Sequence, residues 1–165
     1  MVSNAFKNVG ITLQAYLERT LDDIQALGNY TSGRVRLVKG VYDEEEAMSR
    51  SIALNRHYLA CIYALVEQGK KVNAATHDIA LLDEIEKDAK ICGADITFEM
   101  LHGITPKHLH RIKAKGFSSA IYIAFGKEWY VHFLHRLAEH PPNILLAAED
   151  ICSPQGGNAI QHPYF

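Results

Sequence analysis

In the stretch RVRLVKGVYD, an arginine and a lysine stand three residues apart within a β-branched run. Period-2 alternation puts Arg36, Val38 and Gly40 on one face and Leu37, Lys39 and Val41 on the other. If such a strand is covered on both sides, each charge needs a partner, and an anionic cofactor is one that would serve; an edge strand with solvated charges is the plainer alternative. A second group closes the run KVNAATHD, where Thr76, His77 and Asp78 follow an apolar segment. A histidine there suits a phosphate, a flavin edge or a metal, and equally a structural hydrogen bond. His102, His108 and His110 show no HExxH or related ligand spacing, so they read as polar loop and helix-surface residues, and no metal site is expected. In EWYVHFLHRLAEH, His132, His135, Arg136 and Glu139 recur at three and four residues and share one helical face, where Arg136 and Glu139 on their own read as a surface ion pair.

The elements that must position these residues alternate strand and helix. Strands are predicted at Val9–Ala15, Val35–Val41, Lys71–Thr76, Asp95–Leu101 and Ala120–Ala124. Helical periodicity fills Tyr16–Leu27, Arg50–Glu67, Ile79–Ile91, Pro106–Ala114 and Trp129–Glu139. Pro106 suits a first helical turn, and Gly28, Gly69, Gly93 and Gly116 suit helix ends. This βαβ order predicts parallel strands, either in a barrel or in a doubly wound sheet. No GxGxxG follows the first strand, and polar residues gather at the carboxyl ends of strands, where barrel enzymes place their sites, so the barrel is preferred. A complete eightfold barrel takes about 250 residues, whereas this chain has 165 and five clear units. The expected fold is therefore α/β, a partial (β/α)8 barrel over residues 1–149, with residues 150–165 as a mobile tail rich in Pro, Gly and Ser.

Composition narrows the partners. Seventeen Lys and Arg against nineteen Asp and Glu give a net charge of −2, which argues against nucleic-acid binding through bulk positive charge. A hydrophobic content of 48% supports a sizeable core. No apolar run has transmembrane length and the first twenty residues lack a signal-peptide centre, so a cytoplasmic location is expected. Cys61, Cys92 and Cys152 are far apart and odd in number, and read as reduced thiols.

Six pieces in order, LQAYL, RLVKGVYD, ATHD, FEMLHG, YIAFG with EWY, and HRLAE followed by PPN, resemble the carboxyl-terminal part of the proline dehydrogenase family, most nearly its monofunctional bacterial members. The resemblance runs from about Val9 to about Ala147 and implies the fourth to eighth strands of a distorted (β/α)8 barrel that holds FAD. It implies oxidation of L-proline to Δ1-pyrroline-5-carboxylate by hydride transfer to the flavin, with a membrane quinone as electron acceptor and contact at the membrane periphery. By the same resemblance Gln14 and Arg36 bond the flavin ring, Arg36 near its N5, and Val38, Gly40 and Tyr42 are cofactor neighbours. Thr76 and His77 contact the FAD phosphates or ribose. Leu101 lies near the substrate, Tyr122 packs on the proline ring, and Arg136 binds the substrate carboxylate with Glu139 orienting it. A catalytically silent flavin-binding or interaction module on the same half-barrel is the alternative expectation. Two parallel sheet edges left by a five-unit barrel predict a homo-oligomer.

The sequence departs from the family pattern at two places. His135 stands where the family usually has the first of two adjacent arginines, and His132 stands where a tyrosine is common. A histidine with an ordinary pKa near 6.5 is mostly neutral at pH 7.5, whereas arginine keeps its charge and its planar fork of donors. The expected consequence is weak proline binding, and His135→Arg should tighten it by about 1.5–3 kcal/mol, read by calorimetry or flavin difference spectra. Equal affinity in the two forms would remove His135 from the substrate site.

Overall fold

The computed structural model describes residues 9–28, 33–40, 52–102, 106–123, 125–127, 130–131 and 134, with residues 89–92 and 106 described by backbone alone. Among the described residues five strands alternate with four helices: β1 (Ile11–Gln14), α1 (Thr20–Leu27), β2 (Val35–Val38), α2 (Ile52–Glu67), β3 (Val72–Ala75), α3 (Ile79–Cys92), β4 (Ile96–Leu101), α4 (Pro106–Ala114) and β5 (Ser118–Tyr122). The strands form one sheet in the order β1-β2-β3-β4-β5. Sequence order and spatial order coincide, as they do in a barrel and not in a doubly wound sheet, whose strand order reverses. The fold is thus α/β and of partial-barrel type. The fifth predicted helix, Trp129–Glu139, and the 150–165 tail lie almost wholly outside the described residues.

The chain divides into two compact units, residues 1–98 and 99–165. In the first, β1 runs parallel to β2 and β2 to β3, with Ile11, Val35 and Val72 in one register row, and Leu13, Leu37 and Ala74 in a second. Val35, Leu37, Val72 and Ala74 are fully buried, together with Ile24 of α1, Tyr58 and Leu65 of α2, and Leu82 of α3. The hydroxyl of Tyr58 donates to the Leu37 carbonyl at 3.0 Å, tying α2 to the central strand. Lys39 shares the parity of Leu37 and reaches side chains on α2 and at the start of α3, which places the helical layer on that face of the sheet. At the amino-terminal end of the strands, Arg34 pairs with Asp95 at 2.7 Å and donates to Asn73 at 3.4 Å. Gly10 and Gly33 precede β1 and β2 where the two backbones come close: a Cβ on Gly10 would lie 2.3 Å from the Arg34 carbonyl oxygen, and one on Gly33 would lie 2.1 Å from that of Val9.

Of the element boundaries that differ from the sequence expectation, three have a clear local reason. The first helix begins at Thr20, not Tyr16, because the amides of Ala15 and Tyr16 still donate to the carbonyls of Val38 and Lys39, at 2.9 and 2.8 Å. Those bonds keep the chain extended past β1. Thr20 then anchors the turn by donating its hydroxyl to the Gln14 carbonyl at 2.6 Å. The second strand stops at Val38, two residues before Gly40, whose φ of +117° is closed to most side chains. The fifth strand is shifted toward the amino terminus and takes in Ser118 and Ser119, polar residues that masked it.

In the second unit, α4 buries Leu109 and Ile112, and β5 follows it after a left-handed Gly116. The amide of His102 donates to the Tyr122 carbonyl at 3.0 Å, so the carboxyl ends of β4 and β5 lie side by side. No helix among the described residues is long and apolar enough to cross a membrane.

Candidate functional site

The face of β1–β3 opposite the helical layer has a different chemistry. Its register rows are Thr12, Arg36 and Asn73, then Gln14, Val38 and Ala75. Thr12 is exposed and the other five are half-buried, against complete burial of the β2 and β3 residues on the reverse face. A guanidinium, two amides and a hydroxyl on the inner face of parallel strands form a donor-rich surface of the kind that holds a planar, electron-accepting or anionic group. Arg36 and Gln14 are therefore brought onto one face, in adjacent rows, with Val38 beside Gln14.

Gly40 follows one residue after Lys39. A Cβ there would fall 1.7 Å from Cδ1 of Tyr16, so the ring of this buried tyrosine occupies the space that any other residue would need. Gly40, a cofactor neighbour by the family resemblance, thus has its lack of a Cβ required within the chain by Tyr16. Nearby, His57 of α2 donates from Nδ1 to the Ala15 carbonyl at 2.6 Å.

Thr76, His77 and Asp78 form the link from β3 to α3. Thr76 is buried, and its hydroxyl accepts from the Asp78 amide at 3.1 Å, while His77 between them is half-buried. Asp78 caps α3: its Oδ1 accepts from the amides of Ala80 and Leu81 at 3.1 and 3.3 Å. Its Oδ2 accepts from Lys39 Nζ at 2.8 Å and from Asn55 Nδ2 at 3.1 Å, and Lys39 also donates to Asn55 Oδ1 at 2.7 Å. The cation of Lys39 is thus matched inside the protein by a carboxylate, on the face opposite Arg36. The sequence sets Asp78 beside His77 but does not reveal this pairing. The signal for the cap was present in its position, since an aspartate immediately before an apolar helical run is a helix cap; Asn55 gave none.

Leu101 and Tyr122 belong to the second unit, at the carboxyl ends of β4 and β5, half-buried and exposed respectively. Tyr42, His132, His135, Arg136 and Glu139 lie outside the described residues. Among those described, no group of three or more His, Cys, Asp or Glu is placed to hold a metal ion. Cys61 is fully buried, and burial pushes its thiol up to about 12, so it stays protonated and unreactive.

Parallel strands in barrel order, with an apolar face under helices and a donor-rich face opposite, define a segment of a (β/α)-barrel protein. Comparison with known proteins specifies which barrel. The proline dehydrogenase family profile matches residues 2–139. The chain is 32% identical over 150 residues to proline dehydrogenase 2 of Bacillus subtilis, covering 86% of this chain and 48% of that protein. It is 31% identical over 142 residues to a proline dehydrogenase of Deinococcus radiodurans, covering 83% and 46%. Its backbone matches a crystal structure of proline utilization A from Bdellovibrio bacteriovorus inactivated by N-propargylglycine, with a TM-score of 0.72 at 20% identity, over 96% of this chain and 18% of that one. The chain belongs to the proline dehydrogenase family, whose members generally depend on FAD. It spans about half the length of the curated relatives it matches.

The Asp78 cluster carries its own pH dependence. Burial, the largest single influence, raises this carboxyl, but the hydrogen bond and charge of Lys39, with the Leu81 amide and Asn55, outweigh it and hold the group below its ordinary 3.8. A carboxyl lowered by folding adds stability above its unfolded-state pKa and loses that stability as the pH falls through the folded value. Asp78→Asn should therefore cost about 1–2 kcal/mol at neutral pH. In urea unfolding, the gap between the two proteins should close on acidification below 3.8. A gap independent of pH would show that the Asp78 charge adds nothing.

Proposed function

We propose that this chain is the flavin- and proline-handling part of a proline dehydrogenase, oxidising L-proline to Δ1-pyrroline-5-carboxylate with FAD as cofactor and a quinone-type acceptor. The single observation that carries the reading is the placement of Arg36 and Gln14 on the half-buried polar face of β1–β3 in a chain of this family. FAD, when bound, supplies the hydride acceptor; the protein supplies placement and charge. The donor set fits such a group. Arg36 presents a permanent cation and planar donors to an electron-rich ring, and Gln14 in the next row offers an amide that donates and accepts. Val38 provides an apolar surface beside Gln14. Thr76, His77 and the chain around Gly40 and Tyr42 hold the remainder of the cofactor.

On the substrate side, Leu101 and Tyr122 supply apolar contact to the proline ring, while Arg136 binds its carboxylate and Glu139 orients the guanidinium. His135 supplies a weaker donor than the arginine common at its position. Within this reading the acceptor lies at the membrane periphery, the chain works on the cytoplasmic side, and it associates with further copies of itself.

Arg36 is the residue on which the proposal is most exposed. Arg36→Ala should weaken FAD binding or make the bound flavin harder to reduce, by about 2–4 kcal/mol for loss of one preorganised charged donor. Flavin content and reduction potential both unchanged in the variant would remove Arg36 from the ring.

A further inference from the structure

We infer that Lys39, Asn55 and Asp78 are positioning residues for the flavin site, clamping the end of β2 and the β3–α3 link into the relative placement that FAD binding requires. The inference rests on the flavin reading above. Lys39 lies between Val38 and Gly40 in sequence but faces the helical layer, so it serves the site from behind without touching the cofactor.

Its ammonium binds Asp78 Oδ2 at 2.8 Å and Asn55 Oδ1 at 2.7 Å, and Asn55 closes the triangle by donating to Asp78 Oδ2 at 3.1 Å. One interaction thereby joins three segments distant in sequence: β2, the first turns of α2 and the link ahead of α3. The Asp78 backbone is fixed as well. Its amide donates to Thr76 Oγ1 at 3.1 Å, and its other carboxylate oxygen caps α3. His77 sits between the two residues so held. The segment carrying Val38 and Gly40 and the segment carrying Thr76 and His77 are therefore locked to each other through half-buried side chains, 28% exposed for both Lys39 and Asp78. Oriented sites lose much of their affinity when a supporting contact lets them drift by an ångström or less, even with every contacting residue in place.

A clamp that only stabilised the fold would make the same bonds, so the test separates the two. FAD affinity of the 165-residue chain is measured by flavin fluorescence, and folding stability by urea unfolding, for Lys39→Met, Asp78→Asn, the double variant and Tyr58→Phe. Tyr58→Phe breaks a different tie between α2 and β2, the bond to the Leu37 carbonyl, and provides a loss of stability remote from the link. Lys39→Met and Asp78→Asn should each raise the FAD dissociation constant about tenfold, comparable to the loss of an orienting partner at other sites. The double variant should show about the same tenfold loss, because each single substitution already breaks the Lys39–Asp78 pair, and Tyr58→Phe should leave the constant unchanged. Wild-type affinity in both single variants overturns the clamp while leaving the flavin reading intact. So does a loss in Tyr58→Phe equal to that in Lys39→Met, or a hundredfold loss in the double variant. If Asp78→Asn does not fold, Lys39→Met against Tyr58→Phe decides. A wild-type chain without saturable FAD binding overturns the flavin reading itself, and the clamp with it.

Discussion

A strand in a parallel sheet has two faces, and the first unit of this protein depends on keeping their chemistries apart. Along β2 the apolar residues Val35 and Leu37 take one face and Arg36 the other, with β1 and β3 in register on either side. A slip of one residue would bury the guanidinium among Tyr58, Leu65 and Leu82 and expose the core. Register is therefore enforced by the hydrophobic effect, and the same enforcement delivers Arg36 and Gln14 to the polar face. Folding and site formation are one event on this sheet.

The ends of the strands are where that simple rule gives out, and other interactions take over. Beyond Gln14 and Val38 the chain keeps two ladder hydrogen bonds, then turns under Tyr16, whose ring demands a glycine at position 40. Beyond Ala75 the chain turns through a threonine hydroxyl and an aspartate cap. Lys39 and Asn55 hold these two exits together. The arrangement distributes labour: residues facing the helices set geometry, and residues facing the other way offer donors.

Much of this was legible in the sequence because it follows from periodicity. The alternation in RVRLVK separates Arg36 from Lys39, and the five strands and the four helices between them appear in the expected order with helix-ending glycines in place. The family resemblance rested on short pieces, and the match over residues 2–139 bears it out. What sequence could not supply came from contacts between distant segments. The start of α1 was missed because Tyr16 is held by the Lys39 carbonyl, and local propensity carries no trace of that bond. For the charge of Lys39 the sequence offers an anionic cofactor or solvent, whereas its partner is Asp78, 39 residues away. Ser118 and Ser119 disguised the start of β5, since strand propensity is a weak guide where a strand's residues are exposed.

The proposed function puts FAD on the polar face of β1–β3 and at the two strand exits. Amide hydrogen exchange of the chain with and without FAD tests it directly. Added protection is expected at residues 14–16, 38–40 and 76–78, with the mid-helix amides of α2 unchanged. Protection confined to the helical layer, or none anywhere at saturating FAD, would contradict it.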